Sequence, residues 1–174
     1  MPNVPAPFLE VALVQGSGNG ERPVIPKDPA WEARVRESFG RQRHMATLGI
    51  TIAFLSPGEV HLALPFAERF CQQNGYMHAG AIASVADSAN GYAAYTLAPA
   101  GTDVLAVEFK INLLAPARGE GFLTRGRVLR AGRTLTVCQA DVVTTGSGRE
   151  VLVATMLSTI MVRPASAEAA GTGT

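Results

Sequence analysis

The sequence predicts an α+β domain in which a six-stranded antiparallel sheet wraps around one long central helix. Three observations carry that expectation. The hydrophobic period is helical before residue 46 and changes to two immediately afterwards. A run of small apolar residues at 79–94 occupies the middle of the chain, and four further strand-like runs follow it, separated by short turns that contain Gly or Pro. A sheet of that size needs its apolar face covered, and the mid-chain helix is the element available to cover it.

Taken in order, residues 1–28 read as a loop-like arm, rich in Gly and Pro from Gln15 to Pro29. Asp28-Pro29 supplies an N-cap and a first-turn proline for a helix at 29–45, with Trp31, Val35, Phe39 and Gln42 along one stripe. Leu48, Ile50, Ile52 and Phe54 then alternate, Ser56-Pro57-Gly58-Glu59 turns the chain, and Val60, Leu62 and Leu64 alternate again, which describes a β-hairpin. After a loop at 65–76 the central helix starts near His78. The later strands are expected at 103–114, 121–130, 134–145 and 150–162, joined through Ala115-Pro116-Ala117-Arg118, Ala131-Gly132 and Gly146-Ser147-Gly148 as an antiparallel meander. One domain spans 29–163, and the small-residue tail at 164–174 is expected to be disordered.

Composition narrows the function. With 15 basic and 14 acidic residues the net charge is +1, so no large field exists to draw in nucleic acid or an anionic membrane. No apolar run has the length to span a bilayer, and Met1 to Pro7 lacks the pattern of a secretory signal, so the expected setting is cytoplasmic. Cys71 and Cys138 lie far apart without a CxxC pairing and default to buried thiols in a reducing compartment. A metal site is not expected, because no HExxH or Cys/His cluster with ligand spacing occurs, and no Gly-x-Ser-x-Gly elbow suggests a serine hydrolase.

The chemistry concentrates at the central helix. Nearly every side chain at 79–94 is small, and Asp87 is the odd residue, since a carboxylate on a buried helix carries a desolvation cost. A lone mid-helix Asp is more often an exposed residue or an acceptor for a neighbouring subunit. What favours chemistry is the preceding segment Gln72-Gln73-Asn74-Gly75-Tyr76-Met77-His78-Ala79-Gly80, which crowds amides and glycines against the start of the same helix. The first amides of a helix lack intrahelical acceptors and carry the positive end of its dipole, so the N–H groups of Ala79 and Gly80 could hold a carbonyl oxygen that becomes an oxyanion. Asp87 could then activate water or attack directly. His78 is expected to brace the loop, and His44 and His61 to be surface or loop residues.

These residues resemble the phenylacetate-degradation-type (PaaI-like) acyl-CoA thioesterases of the hotdog superfamily. The resemblance rests on Gly75-Tyr76-Met77-His78-Ala79-Gly80 with Asp87 following, then Val107-Glu108-Phe109-Lys110-Ile111-Asn112 and Leu114-Ala115-Pro116-Ala117. It implies the hotdog fold, a homodimer paired into a dimer of dimers, active sites at the dimer interface, acyl-CoA as substrate, and no metal or separate cofactor. Carried over residue by residue, Asp87 is the catalytic carboxylate and Ala79 supplies the polarising amide where many members have Gly. Gln72 stands where many have Asn, with Asn74 able to share its task, and Ala106 stands where some have a water-placing Ser. Asn74, Gly75, His78 and Gly80 would line the substrate site. Arg130 and Arg133 flank the turn near which the family places the nucleotide phosphates, and a guanidinium fork suits phosphate. Solvated turn charges would look the same.

Pocket depth is expected to depend on Tyr76, Met77, Tyr92 and Phe109. The rival readings are a hotdog enoyl-CoA hydratase or dehydratase, for which Ala89 and Tyr92 stand at the places of the expected Asn and His, and a non-catalytic acyl-CoA sensor, which would not need Asp87.

Overall fold

The computed structural model describes residues 25–146 and 149–165. The arm and tail expected at the two ends therefore lie largely outside the described residues, as do Ser147 and Gly148 of the last turn. The described elements are α1 (Trp31–Gly40), α2 (Arg43–Leu48), β1 (Thr51–Ser56), β2 (Glu59–Pro65), a 3₁₀ turn (Glu68–Phe70), the central helix α3 (Ala79–Tyr95), β3 (Thr102–Leu113), β4 (Gly121–Ala131), β5 (Leu135–Thr145) and β6 (Leu152–Pro164). All six strands form one antiparallel sheet around α3, as expected. No helix among the described residues is long and apolar enough to cross a membrane.

The sheet reads as alternating rows across its strands. Leu62, Thr124, Val142 and Ala154 stand in register, as do Val60, Gly126, Ala140 and Met156, and all are buried against the helix. The intervening rows, such as Glu59, Arg127, Gln139 and Leu157, point to the opposite face, because successive strand residues alternate sides. Small residues on α3 answer the inner rows: Ala86, Ala89 and Ala93 are fully buried. The closest approach is at Gly126, where a Cβ would lie 2.6 Å from the Ala89 backbone. Gly126→Ala is therefore expected to push α3 off the sheet and cost about 1–3 kcal/mol, read as a lower denaturant midpoint.

Four expectations need correction. The single helix at 29–45 is two helices, broken where Gln42 takes an extended conformation (φ −77°, ψ 96°). On one straight helix Leu48 would stand roughly 140° around the axis from Val35. The break lets Val35, Met45 and Leu48 all reach the core. Leu48, expected on the first strand, ends α2, with Gly49 in the left-handed conformation (φ 71°) behind it. The four later strands are not a simple meander either: β3 pairs only with β6, at the sheet edge, while β4 inserts between β2 and β5. The segment at 114–120 is too long for a tight hairpin and crosses the start of α3 instead, accepting a bond from Met77 N–H at Ala117 O (3.0 Å). Finally, His61 is no surface residue. It sits on β2 with 7% exposure, 2.7 Å from the Glu59 carboxylate and with its ring tilted against Phe54.

Asp28, placed in the arm by sequence, belongs to the fold. It is buried, accepts from Ala30 N–H at 2.9 Å and pairs with Arg34 at 3.1 Å. The Arg34 guanidinium in turn donates to the carbonyls of Tyr95, Ala98 and Pro99 and lies over the Tyr95 ring, so α1 closes the C-terminal end of α3.

Candidate active site

The approach to α3 is a tight loop. Cys71 and Met77 form an isolated antiparallel bridge, Gln72 N–H donates to Tyr76 O at 2.8 Å, and Gly75 N–H donates to Gln72 O at 3.0 Å. Gly75 holds φ +77°, which a side chain would disfavour. The Gln72 side-chain oxygen accepts from Asn74 N–H, so the longer amide folds back over its own turn. Asn74 itself is exposed.

His78 is the N-cap of α3, and its Nδ1 accepts from Gly80 N–H at 2.9 Å. This brings a correction to the expected pair of free amides: the Gly80 N–H is engaged by His78, and Ala81 N–H bonds the His78 carbonyl. Ala79, exposed at the first helical position, is left with an N–H that has no acceptor among the described residues. Ala79 and Gln72 share a cleft of about 440 Å³ with Tyr76, Met77, Ile82 and Leu113.

Asp87 faces a different cleft, of about 260 Å³, between α1, α3, β3 and β6. Ala106 lines it too, on the wall where the resemblance places a hydroxyl in some members. One carboxylate oxygen, Oδ1, is buried with no hydrogen-bond partner among the described residues. Burial accordingly pushes the Asp87 pKa above its ordinary 3.8. An ionised oxygen left without a donor is costly, so this geometry suits a group that receives a proton or meets a ligand.

The two halves of the expected site are thus not assembled within one chain. Asp87 lies eight positions beyond Ala79 on the helix, about 12 Å along the axis, and the two line separate clefts. Of the residues expected to set pocket depth, Tyr76 and Met77 line the Ala79 cleft and Tyr92 the Asp87 cleft, whereas Phe109 is 46% exposed on β3. Arg130 and Arg133 are exposed around the β4–β5 turn. That turn joins the sheet end next to Arg163 of the Asp87 cleft, through Val162 N–H to Thr134 O at 2.8 Å. Sequence reasoning did not place Ser38 or Gln42 at the site, yet both line the Asp87 cleft. Nothing local to residues 38–42 could have revealed this, since only the packing of α1 brings them there.

A sheet wrapped around a small-residue helix, with a free amide at the helix start and an unpartnered carboxylate midway, defines a hotdog-fold protein with the parts of a thioester hydrolase. The comparisons agree. Residues 74–151 match the model of the thioesterase superfamily, and the chain belongs to that family. A thioesterase family protein of Silicibacter pomeroyi is 46% identical in a solved structure, over 78% of this chain and 99% of that one, with a TM-score of 0.76. A protein of Saccharolobus solfataricus that carries an esterase designation is 34% identical over 94 residues, 54% of this chain and 66% of its own length. The PaaI protein of E. coli, from the phenylacetic acid degradation operon, shares the fold at 18% identity, with a TM-score of 0.71 over 78% of this chain and 95% of that one.

Proposed function

We propose that this protein hydrolyses an acyl-CoA thioester to the free acid and CoA at a site that two copies of the chain build together. The observation that carries the reading is the unpartnered, burial-shifted carboxylate of Asp87 facing an open cleft. In the proposed reaction the Ala79 N–H of one copy holds the thioester oxygen, assisted by the Gln72 amide, while Asp87 of the other copy activates water or attacks the carbonyl carbon. The carbon–sulfur bond breaks and CoA leaves as the thiol. No metal or added cofactor is needed, since CoA is part of the substrate.

The separation of the clefts and the exposure of β3 support the two-copy arrangement. That strand is an edge, with Leu105, Val107, Phe109 and Leu113 each at least 46% exposed. An exposed apolar edge strand invites pairing with another chain. A second copy pairing there in an isologous way would bring each Asp87 toward the other copy's α3 start and cover those side chains. Pairing of dimers into a tetramer and a cytoplasmic setting remain part of the proposal.

The test is release of free thiol across a series of acyl-CoA esters and their truncated pantetheine counterparts. Turnover on at least one CoA ester is expected, and tight binding without turnover on any would favour an acyl-CoA sensor. Arg133→Ala is expected to raise KM for CoA esters several-fold more than for pantetheine esters, because only the former carry nucleotide phosphates for the guanidinium to meet. Equal loss on both would remove Arg133 from the CoA site.

A further inference from the structure

We propose that Ser88 is the positioning residue for the attacking water, its hydroxyl and the Asp87 carboxylate each accepting one of the water's hydrogens. This rests on the acyl-CoA reading above and takes its water-activating route. Ser88 follows Asp87 directly on α3, is half-buried, and lines the same cleft as Asp87 and Ala106. It therefore offers, from the helix, the hydroxyl that Ala106 does not offer from the strand.

Hydrogen bonding sets Ser88 apart from the other serine of the helix interior nearby. Ser84, one turn earlier, donates its hydroxyl to the Gly80 carbonyl at 2.8 Å and meets His44 Nε2 at 3.0 Å. Back-bonding of that kind is the common use of a mid-helix serine hydroxyl. Ser84 also lines a different cleft, beside His44 and His78. Ser88 makes no hydrogen bond among the described residues, so its oxygen is open to a ligand on the Asp87 side.

The other polar groups of this cleft are engaged or stand further off. The Tyr92 hydroxyl lies 3.4 Å from Ser38 Oγ and is also bonded by the Gln42 side chain, which ties these three to one another. The Tyr95 ring lies under the Arg34 guanidinium. Asp103 and Arg163 oppose each other in the β3–β6 register, three positions along β3 from Ala106, about 10 Å away. Ser88 alone combines adjacency to Asp87 with an unengaged hydroxyl.

Two acceptors are what a water nucleophile needs. A serine oxygen has two lone pairs besides its own hydrogen, so it can take the water hydrogen that Asp87 does not. With both hydrogens directed, the water's lone pairs are aimed rather than free to tumble, which lowers the entropic part of the barrier. Asp87 then removes its hydrogen as the oxygen bonds to the carbonyl carbon, the carbon–sulfur bond breaks, and the CoA sulfur departs with that proton. Ser88 exchanges no atom and keeps its own hydrogen throughout.

The test measures free-thiol release from acyl-CoA esters, acetyl to palmitoyl, by four chains: the parent, Ser88→Ala, Ser88→Thr, and Ser88→Ala combined with Ala106→Ser. Ser88→Ala is expected to lower kcat about tenfold, roughly the worth of one hydrogen bond made in the transition state, with KM unchanged. Ala is the better helix former, so the thermal midpoint should not fall and the lost rate is not lost folding. Ser88→Thr keeps the hydroxyl and should stay within about threefold of the parent. Ala106→Ser restores a hydroxyl from the opposite element of the cleft and should recover most of kcat, which a merely structural role of Ser88 would not allow. Recovery by either hydroxyl supports the inference. Parental kcat in Ser88→Ala, a rise in KM in place of the fall in kcat, or a loss that neither hydroxyl repairs would overturn it and leave the thioesterase reading intact. No turnover by the parent on any ester would sink that reading and this inference together.

Discussion

Asp87→Asn is expected to lower kcat by about 100-fold or more, on the order of 2.7 kcal/mol in transition-state free energy, with KM changed far less. The amide keeps the shape of the carboxylate but can neither accept a proton from water nor attack a carbonyl. The helix should persist, because Asn and Asp have similar helix propensity. Stability should move the other way. Burial raises the folded pKa of Asp87 above its ordinary 3.8, so the folded state holds the proton more tightly than the unfolded chain does. The resulting penalty is absent at pH values below 3.8, where both states are protonated, and grows as pH rises through the raised folded value. The substituted amide cannot ionise, so the variant's advantage over the parent in denaturant midpoint should appear only above that window and be lost in acid. For the same reason kcat of the parent should fall on the acid side with a midpoint above 3.8. Activity of Asp87→Asn within a few-fold of the parent would make the carboxylate structural.

Ala79→Pro removes the other half of the proposed chemistry with little structural change. Ala79 occupies the first position of α3, where proline is well tolerated, and His78 before it already has φ −62° and ψ 140°, the region that a following proline requires. The substitution deletes the single N–H proposed to hold the developing oxyanion, and a loss of about 10²–10³ in kcat is expected. The pair of variants also tests the shared site. If Asp87 and Ala79 act on one carbonyl from different copies, mixing Asp87→Asn with Ala79→Pro under conditions of subunit exchange restores one intact site in each mixed dimer. About a quarter of parental activity should then return at equal amounts. No recovery, with exchange verified by differently tagged chains, would mean that the two groups act within one copy or not at all.

The sequence alone determined most of the local elements and marked the two poles of the proposed site. Period-two runs announced the strands, the small-residue run announced the enclosed helix, and both a lone Asp in that run and a Gly-rich approach to its start are local patterns that survive in any fold. What it could not determine depends on partners far along the chain. The edge position of β3 is a matter of strand adjacency, set by how the 114–120 crossing packs over α3 rather than by any turn signal. The break at Gln42 arises because Val35 and Leu48 can both be buried only if the helix bends, which the stripe of a single helix does not announce. The engagement of Gly80 by His78 is a choice of side-chain acceptor that sequence spacing does not announce. Only the tertiary structure separated Ala79 and Asp87 into two clefts and carried Ser38 and Gln42 to the second. Spacing along a helix tells how far apart two groups are, while which surface each one faces is fixed by what packs around it.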